Sequence, residues 1–244
     1  MGEIKINQII IVTDGRSNVG GDPIIAAGEA AKKNIFVSAI GIIDNTDDSE
    51  SPIEEVQNIA NKGGGEWELT YIENLSTTLH MLTQRTVNKT INTVVNKQLK
   101  EIIGAELDEI KPESRNKFIK YIENLSDEIH LKCCVLMDCS GSMKIKINKA
   151  RESIIDLMNS LKARKGKSEV AVIAFPGLNR EMIHVVNDFS NDIELIKNKI
   201  NNMGVGGTTP TAPAIYKAIE LFTNKPHESE KIIEEEPLFN ESII

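Results

Sequence analysis

Short apolar runs that recur along the chain set the strongest limit on its fold. Each run is apolar at nearly every residue and rich in β-branched side chains, which predicts strands buried on both faces of a parallel sheet. Helical segments separate the runs, and the first opens with Asp22 as N-cap and Pro23 at the first helical position. The sequence therefore predicts an α/β fold with a Rossmann-like, mostly parallel central sheet flanked by helices. The runs are residues 8–13, 35–43, 131–138 and 170–175, with shorter candidates at 66–71 and, as an antiparallel edge strand, 182–186.

The segment between the two groups of strands follows a different pattern. Residues 75–103 contain neither Gly nor Pro, and their apolar residues recur at helical spacing, which predicts one long amphipathic helix. Gly104 ends this helix, and Pro112 begins another. The tail is acidic, and we expect it to be poorly ordered. The chain divides accordingly into residues 1–88, a helical connector at 89–129, residues 130–224 and the acidic tail at 225–244.

Composition excludes several classes of partner. The 244 residues carry a formal net charge of −8, so nothing favours binding to nucleic acid or to an anionic membrane. No apolar run approaches the roughly 18 residues of a membrane span, and the N-terminus lacks a signal-peptide pattern. Cys133, Cys134 and Cys139 lack zinc spacing, and their apolar setting indicates buried thiols. We therefore expect a cytoplasmic protein.

The strongest local motif is D-x-S-x-S, formed by Asp138, Ser140 and Ser142 directly after an apolar run. A turn from strand to helix places these side chains on one side, as one carboxylate and two hydroxyls. Such hard oxygen donors suit Mg²⁺, Mn²⁺ or Ca²⁺. The alternative is a capped turn, because Asp and Ser also favour helix N-termini through hydrogen bonding alone.

Two weaker motifs gain meaning beside the first. A glycine-rich loop at residues 204–211 carries Thr208, Thr209 and Thr211, and alone it is typical of a flexible loop before a helix. Asp14 follows the first apolar run as T-D-G, and alone it is typical of a turn. In a parallel sheet, however, ligands gather outside the carboxyl ends of the strands, so these motifs are expected to converge there.

Together these motifs resemble the metal-ion-dependent adhesion site of von Willebrand factor A domains. That family has D-x-S-x-S after its first strand, a Thr in a glycine-rich loop, and an Asp after a later apolar strand, often as T-D-G. The run VAVIAF at residues 170–175 also resembles the family's second strand. The resemblance implies a site for Mg²⁺ or Mn²⁺, with Thr208 and Thr211 as alternatives to the threonine chosen. The implied metal ligands are Asp138, Ser140, Ser142, Thr209 and Asp14.

The order of the motifs departs from the family. There D-x-S-x-S comes first and T-D-G later, whereas here T-D-G lies near residue 14 and D-x-S-x-S near residue 138. Reading from residue 131 to the C-terminus and then from residue 1 to about 88 restores the family's succession of elements. The chain therefore resembles a circularly permuted A domain whose ordinary termini are joined by the connector. The two halves could also pair between two chains, as a domain-swapped homodimer.

The resemblance implies a protein-binding module in which the bound metal holds an Asp or Glu of a partner. One alternative is a Mg²⁺-dependent phosphohydrolase. The sequence disfavours it, because Lys144 and Arg16 are the only basic residues beside the motifs and no motif of a hydrolase or P-loop occurs. We therefore expect no enzymatic activity. The other alternative is a scaffold domain that binds no metal.

Overall fold

The sheet has a central pair of strands, and two further strands lie on each side of this pair. The structure is a computed structural model, and it describes residues 5–44, 53–104, 107–177 and 181–225. The strands lie in the order β3-β2-β1-β4-β5-β6. Neighbours are parallel except β5 and β6, which pair antiparallel, so the expected mostly parallel sheet is confirmed. The strands are β1 (Lys5–Thr13), β2 (Ile35–Ile42), β3 (Gly64–Thr70), β4 (His130–Asp138), β5 (Ser168–Phe175) and β6 (His184–Ser190).

Helices alternate with the strands, as the sequence predicts. The Asp22 side chain caps the first helix by accepting a hydrogen bond from the backbone N–H of Ile24, and Pro23 occupies the first turn. The edge strand β6 is antiparallel, as expected, but begins and ends later than residues 182–186. The helices are α1 (Pro23–Lys32), α2 (Ile53–Gly63), α3 (Leu75–Ile103), α4 (Pro112–Glu128), α5 (Ile147–Lys162), α6 (Ile193–Ile200) and α7 (Thr211–Thr223).

Strands β1 and β4 form the centre of the sheet. Val12 is in register with Met137. The two halves therefore pair within one chain in this structure. Pairing of halves from two chains, as in a domain-swapped homodimer, stays a prediction. From this pair the chain runs outward through β2 and β3 on one side and through β5 and β6 on the other. The strand order thus reverses between β1 and β4, and in open α/β sheets ligands bind at this point, beyond the carboxyl ends of the strands.

Both faces of the sheet are covered by apolar layers, because successive residues of each strand point to opposite faces. On one face Ile10 and Val135 belong to a core that includes residues of α3, α4 and α5. On the other face Ile11 and Leu136 belong to a core with small residues of α1 and α7. All four strand residues are fully buried, which explains the nearly continuous apolar runs in the sequence.

The long helix α3 spans residues 75–103 without a break, as predicted, and Gly104 ends it with a left-handed backbone. Its N-terminal part packs on the sheet, where Leu79 is fully buried, whereas Ile102 near its other end is 79% exposed. A helix therefore crosses residue 88, where the sequence placed the start of the connector. The helical connector at 89–129 thus continues an element that belongs to the core.

Helix α4 is fastened to the rest of the fold near its C-terminus. The Arg164 guanidinium donates to the carbonyls of Ser126 and Ile129 at 2.6 and 3.1 Å. Gly166 lies directly against this segment, since a Cβ there would come within 2.3 Å of the carbonyl oxygen of Glu128.

Within the residues the structure describes, no helix is long and apolar enough to cross a membrane. Apart from residue 225, the acidic tail lies outside those residues.

Candidate metal centre

The predicted site residues lie at the carboxyl ends of the two central strands. Asp138 is the last residue of β4, and Asp14 follows the last residue of β1. Because β1 and β4 are parallel neighbours, both carboxylates lie at the same edge of the sheet. This is the point at which the strand order reverses.

The Asp138 carboxylate is fully buried and held by hydrogen bonds from both sides. Its Oδ1 accepts from the backbone N–H of Ser140 at 2.7 Å, and its Oδ2 accepts from the Thr13 hydroxyl at 2.6 Å. The pKa of Asp138 is raised to about 6, because burial outweighs the lowering effect of the hydrogen bonds from Thr13 and Ser140, and the nearby Asp14 charge adds to the rise. The fold thus holds a desolvated carboxylate at a fixed position, which favours a bound cation.

A chain of hydroxyls links the D-x-S-x-S motif to Asp14. The Ser142 hydroxyl donates to Asp14 Oδ1 at 2.6 Å, and its oxygen lies 3.1 Å from the Ser140 hydroxyl. Ser140 is buried and Ser142 is exposed, so the chain leads from the interior to the surface.

The glycine-rich loop is fastened to both other motifs through backbone groups. The Gly206 N–H donates to the Cys139 carbonyl at 2.8 Å, within the D-x-S-x-S turn. The Thr209 N–H donates to the Asn18 side chain at 2.8 Å, and the Thr209 carbonyl accepts from the Ser17 hydroxyl at 3.2 Å. These bonds bring Thr209 to the loops that carry the two acids.

The neighbouring threonines differ from Thr209 in their surroundings. Thr208 is exposed, whereas Thr209 is buried beside the segment that follows β1. Thr211 is the first residue of α7, and its buried hydroxyl has no hydrogen-bond partner among the described residues. The backbone contacts favour Thr209 as the threonine of the site, and its role as a metal ligand stays a prediction.

A lysine that the sequence did not indicate lies next to these residues. The Lys146 ammonium contacts Asp14 Oδ2 at 2.6 Å and Asp44 Oδ2 at 2.5 Å. Asp44 lies just after β2, so it is a third acid beyond the carboxyl end of a parallel strand. The expectation that site residues lie beyond the carboxyl ends of parallel strands, which indicated Asp14 and Asp138, also applies to Asp44. The spacing of Lys146 in the sequence did not predict its contact with Asp14.

The donor set fits a hard divalent cation. Carboxylates and hydroxyls are the groups that such ions prefer. Burial raises the pKa of the Cys139 thiol to about 12, so this side chain is a buried neutral thiol. Over the parts of the chain that the structure describes, no three His, Cys, Asp or Glu side chains form a cluster able to hold a metal. A metal here would therefore depend on serine and threonine oxygens beside the two acids.

Known proteins share this architecture. A protein of Bacillus subtilis (strain 168), called "Uncharacterized protein YabS", is 35% identical over 243 residues and is matched over 99% of both chains. A crystal structure of an uncharacterized protein from Alicyclobacillus acidocaldarius is 36% identical, covers 90% of this chain and 94% of that one, and superposes with a TM-score of 0.84. The family model of the von Willebrand factor type A domain matches residues 134–234. The chain belongs to this family. The matched segment of the A domain begins within β4 and contains D-x-S-x-S and the threonine loop.

The A-domain structure brings the five predicted residues to one edge of the sheet. Hydrogen bonds join Ser140, Ser142 and Asp14 directly, and Ser140 also donates its N–H to Asp138. Thr209 joins the group through the segment that follows β1. The sequence missed the bond from Thr13 to Asp138, although Thr13 is the threonine of the T-D-G motif.

Proposed function

We propose that this A domain binds Mg²⁺ or Mn²⁺ through Asp138, Ser140, Ser142, Thr209 and Asp14 and thereby holds an acidic side chain of a partner protein. The observation that carries the proposal is the convergence of three distant segments, one of which carries the buried Asp138 carboxylate, at the switch point of the sheet. A cation at this position compensates the desolvated charge of Asp138. When bound, the metal supplies a Lewis-acidic centre for an incoming carboxylate oxygen.

The residues have separate tasks in this proposal. Asp138 supplies negative charge, and Thr13 fixes one of its oxygens. Asp14 accepts the proton of the Ser142 hydroxyl, which leaves the lone pairs of that oxygen for a cation. Ser142 is exposed, so a partner can reach this side of the cluster. Two carboxylates balance a divalent charge, and the hydroxyls add oxygen ligands without adding charge.

In this proposal the order of the motifs reflects a circular permutation, in which the half that begins with β4 takes the place of the start of an ordinary A domain. The match of the family model to residues 134–234, which begin within β4, supports it. The half that begins with β1 supplies the later strands and Asp14. Helices α3 and α4 then link what are chain ends elsewhere in the family. In this proposal the protein has no catalytic residues, and its function is binding.

Loss of the Ser142 hydroxyl is expected to weaken metal binding. Ser142→Ala removes one proposed ligand and the hydrogen bond to Asp14, so the dissociation constant for Mg²⁺ should rise roughly tenfold or more, about 1.4 kcal/mol. Isothermal titration calorimetry of the purified chain with Mg²⁺ and with Mn²⁺ measures this change. Ser126→Ala in α4 is the control, because that hydroxyl bonds only to a carbonyl of its own helix.

The same variants test the partner. The native chain, immobilised in Mg²⁺, should retain a protein that EDTA releases, and the Ser142→Ala chain should not retain it. Retention that is equal for both chains, or unaffected by EDTA, contradicts a metal-bridged contact. Absence of calorimetric binding by the native chain at millimolar metal contradicts the metal site itself.

An apolar side chain beside the cluster is expected to contribute to partner binding. Ile145 is the last residue of a short 3₁₀ helix (Gly141–Ile145) that begins within D-x-S-x-S, and it is 87% exposed. Ile145→Asp should reduce recovery of the metal-dependent partner roughly fivefold, about 1 kcal/mol, because it places a polar group in the contact. Ile102→Asp, in an equally exposed part of α3, should change nothing. Quantitative recovery on immobilised chains measures both, and equal effects would contradict a contact at Ile145.

A further inference from the structure

The ion pair of Lys146 with Asp14 is buried, although Ser142, which donates to the same carboxylate, is exposed. Only 6% of the Lys146 side chain is exposed, and the Asp14 side chain is fully buried. Asp44, the second partner of the ammonium, is 47% exposed. Lys146 is the N-cap residue of α5, so the backbone that carries it is fixed at the start of a long helix.

Both oxygens of Asp14 are contacted by other side chains of the chain. One of its oxygens accepts the Ser142 hydroxyl at 2.6 Å, and the other contacts the ammonium at 2.6 Å. Buried carboxylates are costly unless a cation or several donors compensate them, and here Lys146 does so. Asp138 differs, because its recorded hydrogen-bond partners, Thr13 and Ser140, are both uncharged.

We propose that Lys146 acts as an internal cation that compensates Asp14 when the metal is absent and limits the affinity of the site for divalent metal when it is present. This inference rests on the proposed function, in which Asp14 is part of the metal site. Lys146 is here a positioning residue that acts through Asp14.

Two electrostatic effects of Lys146 oppose each other. The ammonium compensates the Asp14 charge and holds the carboxylate in the position from which it accepts the Ser142 hydroxyl. The same positive charge repels a divalent cation bound to the neighbouring oxygens, and at partly buried positions such repulsion is much stronger than in water. Asp14, Asp44 and Asp138 carry three negative charges, and Lys146 reduces the sum to −2. Without Lys146 the three carboxylates act on a divalent ion uncompensated, so the ion is held more tightly.

A set of substitutions separates these effects. Lys146→Gln removes the charge and keeps an N–H donor for Asp14, and it should lower the dissociation constant for Mg²⁺ about tenfold. Lys146→Arg keeps the charge and should bind Mg²⁺ as the native chain does. Lys144→Gln is the matched control, because it removes an exposed positive charge two residues away in the same turn. Calorimetric titration with MgCl₂ gives the affinities of all four chains.

Thermal unfolding in EDTA provides the second measurement. Lys146→Gln should unfold at a lower temperature than the native chain and Lys144→Gln, and saturating Mg²⁺ should restore more of its stability than it adds to the native chain. If Lys146→Gln folds only in the presence of metal, the Mg²⁺ concentration at which half of the variant is folded is measured instead of its dissociation constant. This concentration should be lower than the dissociation constant of the native chain for Mg²⁺.

The outcomes distinguish this inference from the proposed function. Native-like or weaker Mg²⁺ binding by Lys146→Gln, with binding by the native chain intact, overturns the role of Lys146 alone. An equal gain in Lys144→Gln overturns it as well, since general charge would then explain the effect. If neither the native chain nor any variant binds Mg²⁺ or Mn²⁺, the proposed function fails together with the inference.

Discussion

An Asp138→Asn variant is expected to be more stable than the native chain when both are free of metal at pH 7. The Asp138 carboxylate is buried, and its pKa of about 6 lies above the ordinary value of 3.8, a difference equivalent to roughly 3 kcal/mol. The neutral amide avoids this cost. We expect the free energy of unfolding to rise by about 1–3 kcal/mol, which corresponds to roughly 3–10 °C in Tm. The variant should no longer bind the metal.

The surrounding hydrogen bonds can adapt to the amide. The Ser140 N–H continues to donate to the carbonyl oxygen of the new side chain. The Thr13 hydroxyl, which donates to Asp138 in the native chain, also lies 3.0 Å from the Gly15 carbonyl and can turn to it. Its oxygen then accepts from the amide NH₂. Because the hydrogen bonds must rearrange in this way, the gain in the free energy of unfolding can lie at the lower end of the expected range.

The pH profile gives an independent measure of the same effect. Because the folded state binds the Asp138 proton more tightly than the unfolded state does, the contribution of this group to stability is largest below about pH 4. It is lost as the pH rises to about 6. The free energy of unfolding of the metal-free native chain, minus that of Asp138→Asn, should therefore fall across this range. The other carboxyl groups are common to both chains and cancel in the difference.

Urea unfolding in EDTA between pH 4 and 7 measures the difference. Addition of Mg²⁺ at a hundred times its dissociation constant should raise the stability of the native chain by about 2.7 kcal/mol and leave the variant unchanged. Lower stability of Asp138→Asn in EDTA at pH 7 would contradict the account of an uncompensated buried charge. A Mg²⁺-dependent gain in the variant would contradict the assignment of Asp138 to the metal.

A Leu79→Ala substitution in α3 is expected to produce the largest loss of stability. Leu79 is fully buried in the core between α3 and the sheet, and removal of such a side chain typically costs about 2–5 kcal/mol. The control is Ile102→Ala in the same helix, where 79% of the side chain is exposed. It should change the free energy of unfolding by roughly 0.5 kcal/mol or less. Urea denaturation followed by circular dichroism measures both.

The comparison decides whether α3 is part of the domain or a linker. A linker helix would tolerate both substitutions equally, and equal small losses would contradict the packing described above. A large loss at Leu79 alone means that the core of the domain is not complete without α3. The first part of α3 then contributes to the core as much as a strand does.

The sequence predicted the elements whose signals are local and periodic. Helix α3 was predicted to span residues 75–103 and is found there, because the absence of Gly and Pro and a regular apolar spacing describe a helix fully. The buried strands were predicted because both of their faces are covered. Edge strand β6 was displaced by several residues from its predicted position, since an edge strand is only partly buried and has a weak pattern.

The acids and hydroxyls of the site were predictable for a related reason. Parallel strands bring their carboxyl ends to one edge, so residues such as Asp14 and Asp138 must lie near each other once both strands are recognised. Lys146 was not predictable, because its ion pair with Asp14 spans 132 positions and neither spacing nor composition marks it. A contact between single side chains of this kind depends on the exact positions of two loops.

The central pairing of β1 with β4 has a consequence for synthesis of the protein. Thr13 and Asp138, which are hydrogen-bonded in the finished fold, are separated by 125 positions. At about 5–20 residues per second, the ribosome synthesises β4 roughly 6–25 s after β1. During this interval one edge of β1 is open, and unpaired edges are where nascent chains associate wrongly. Because Thr209 is added later still, the segments of the proposed metal site can meet only after strands β4, β5 and β6 have been made.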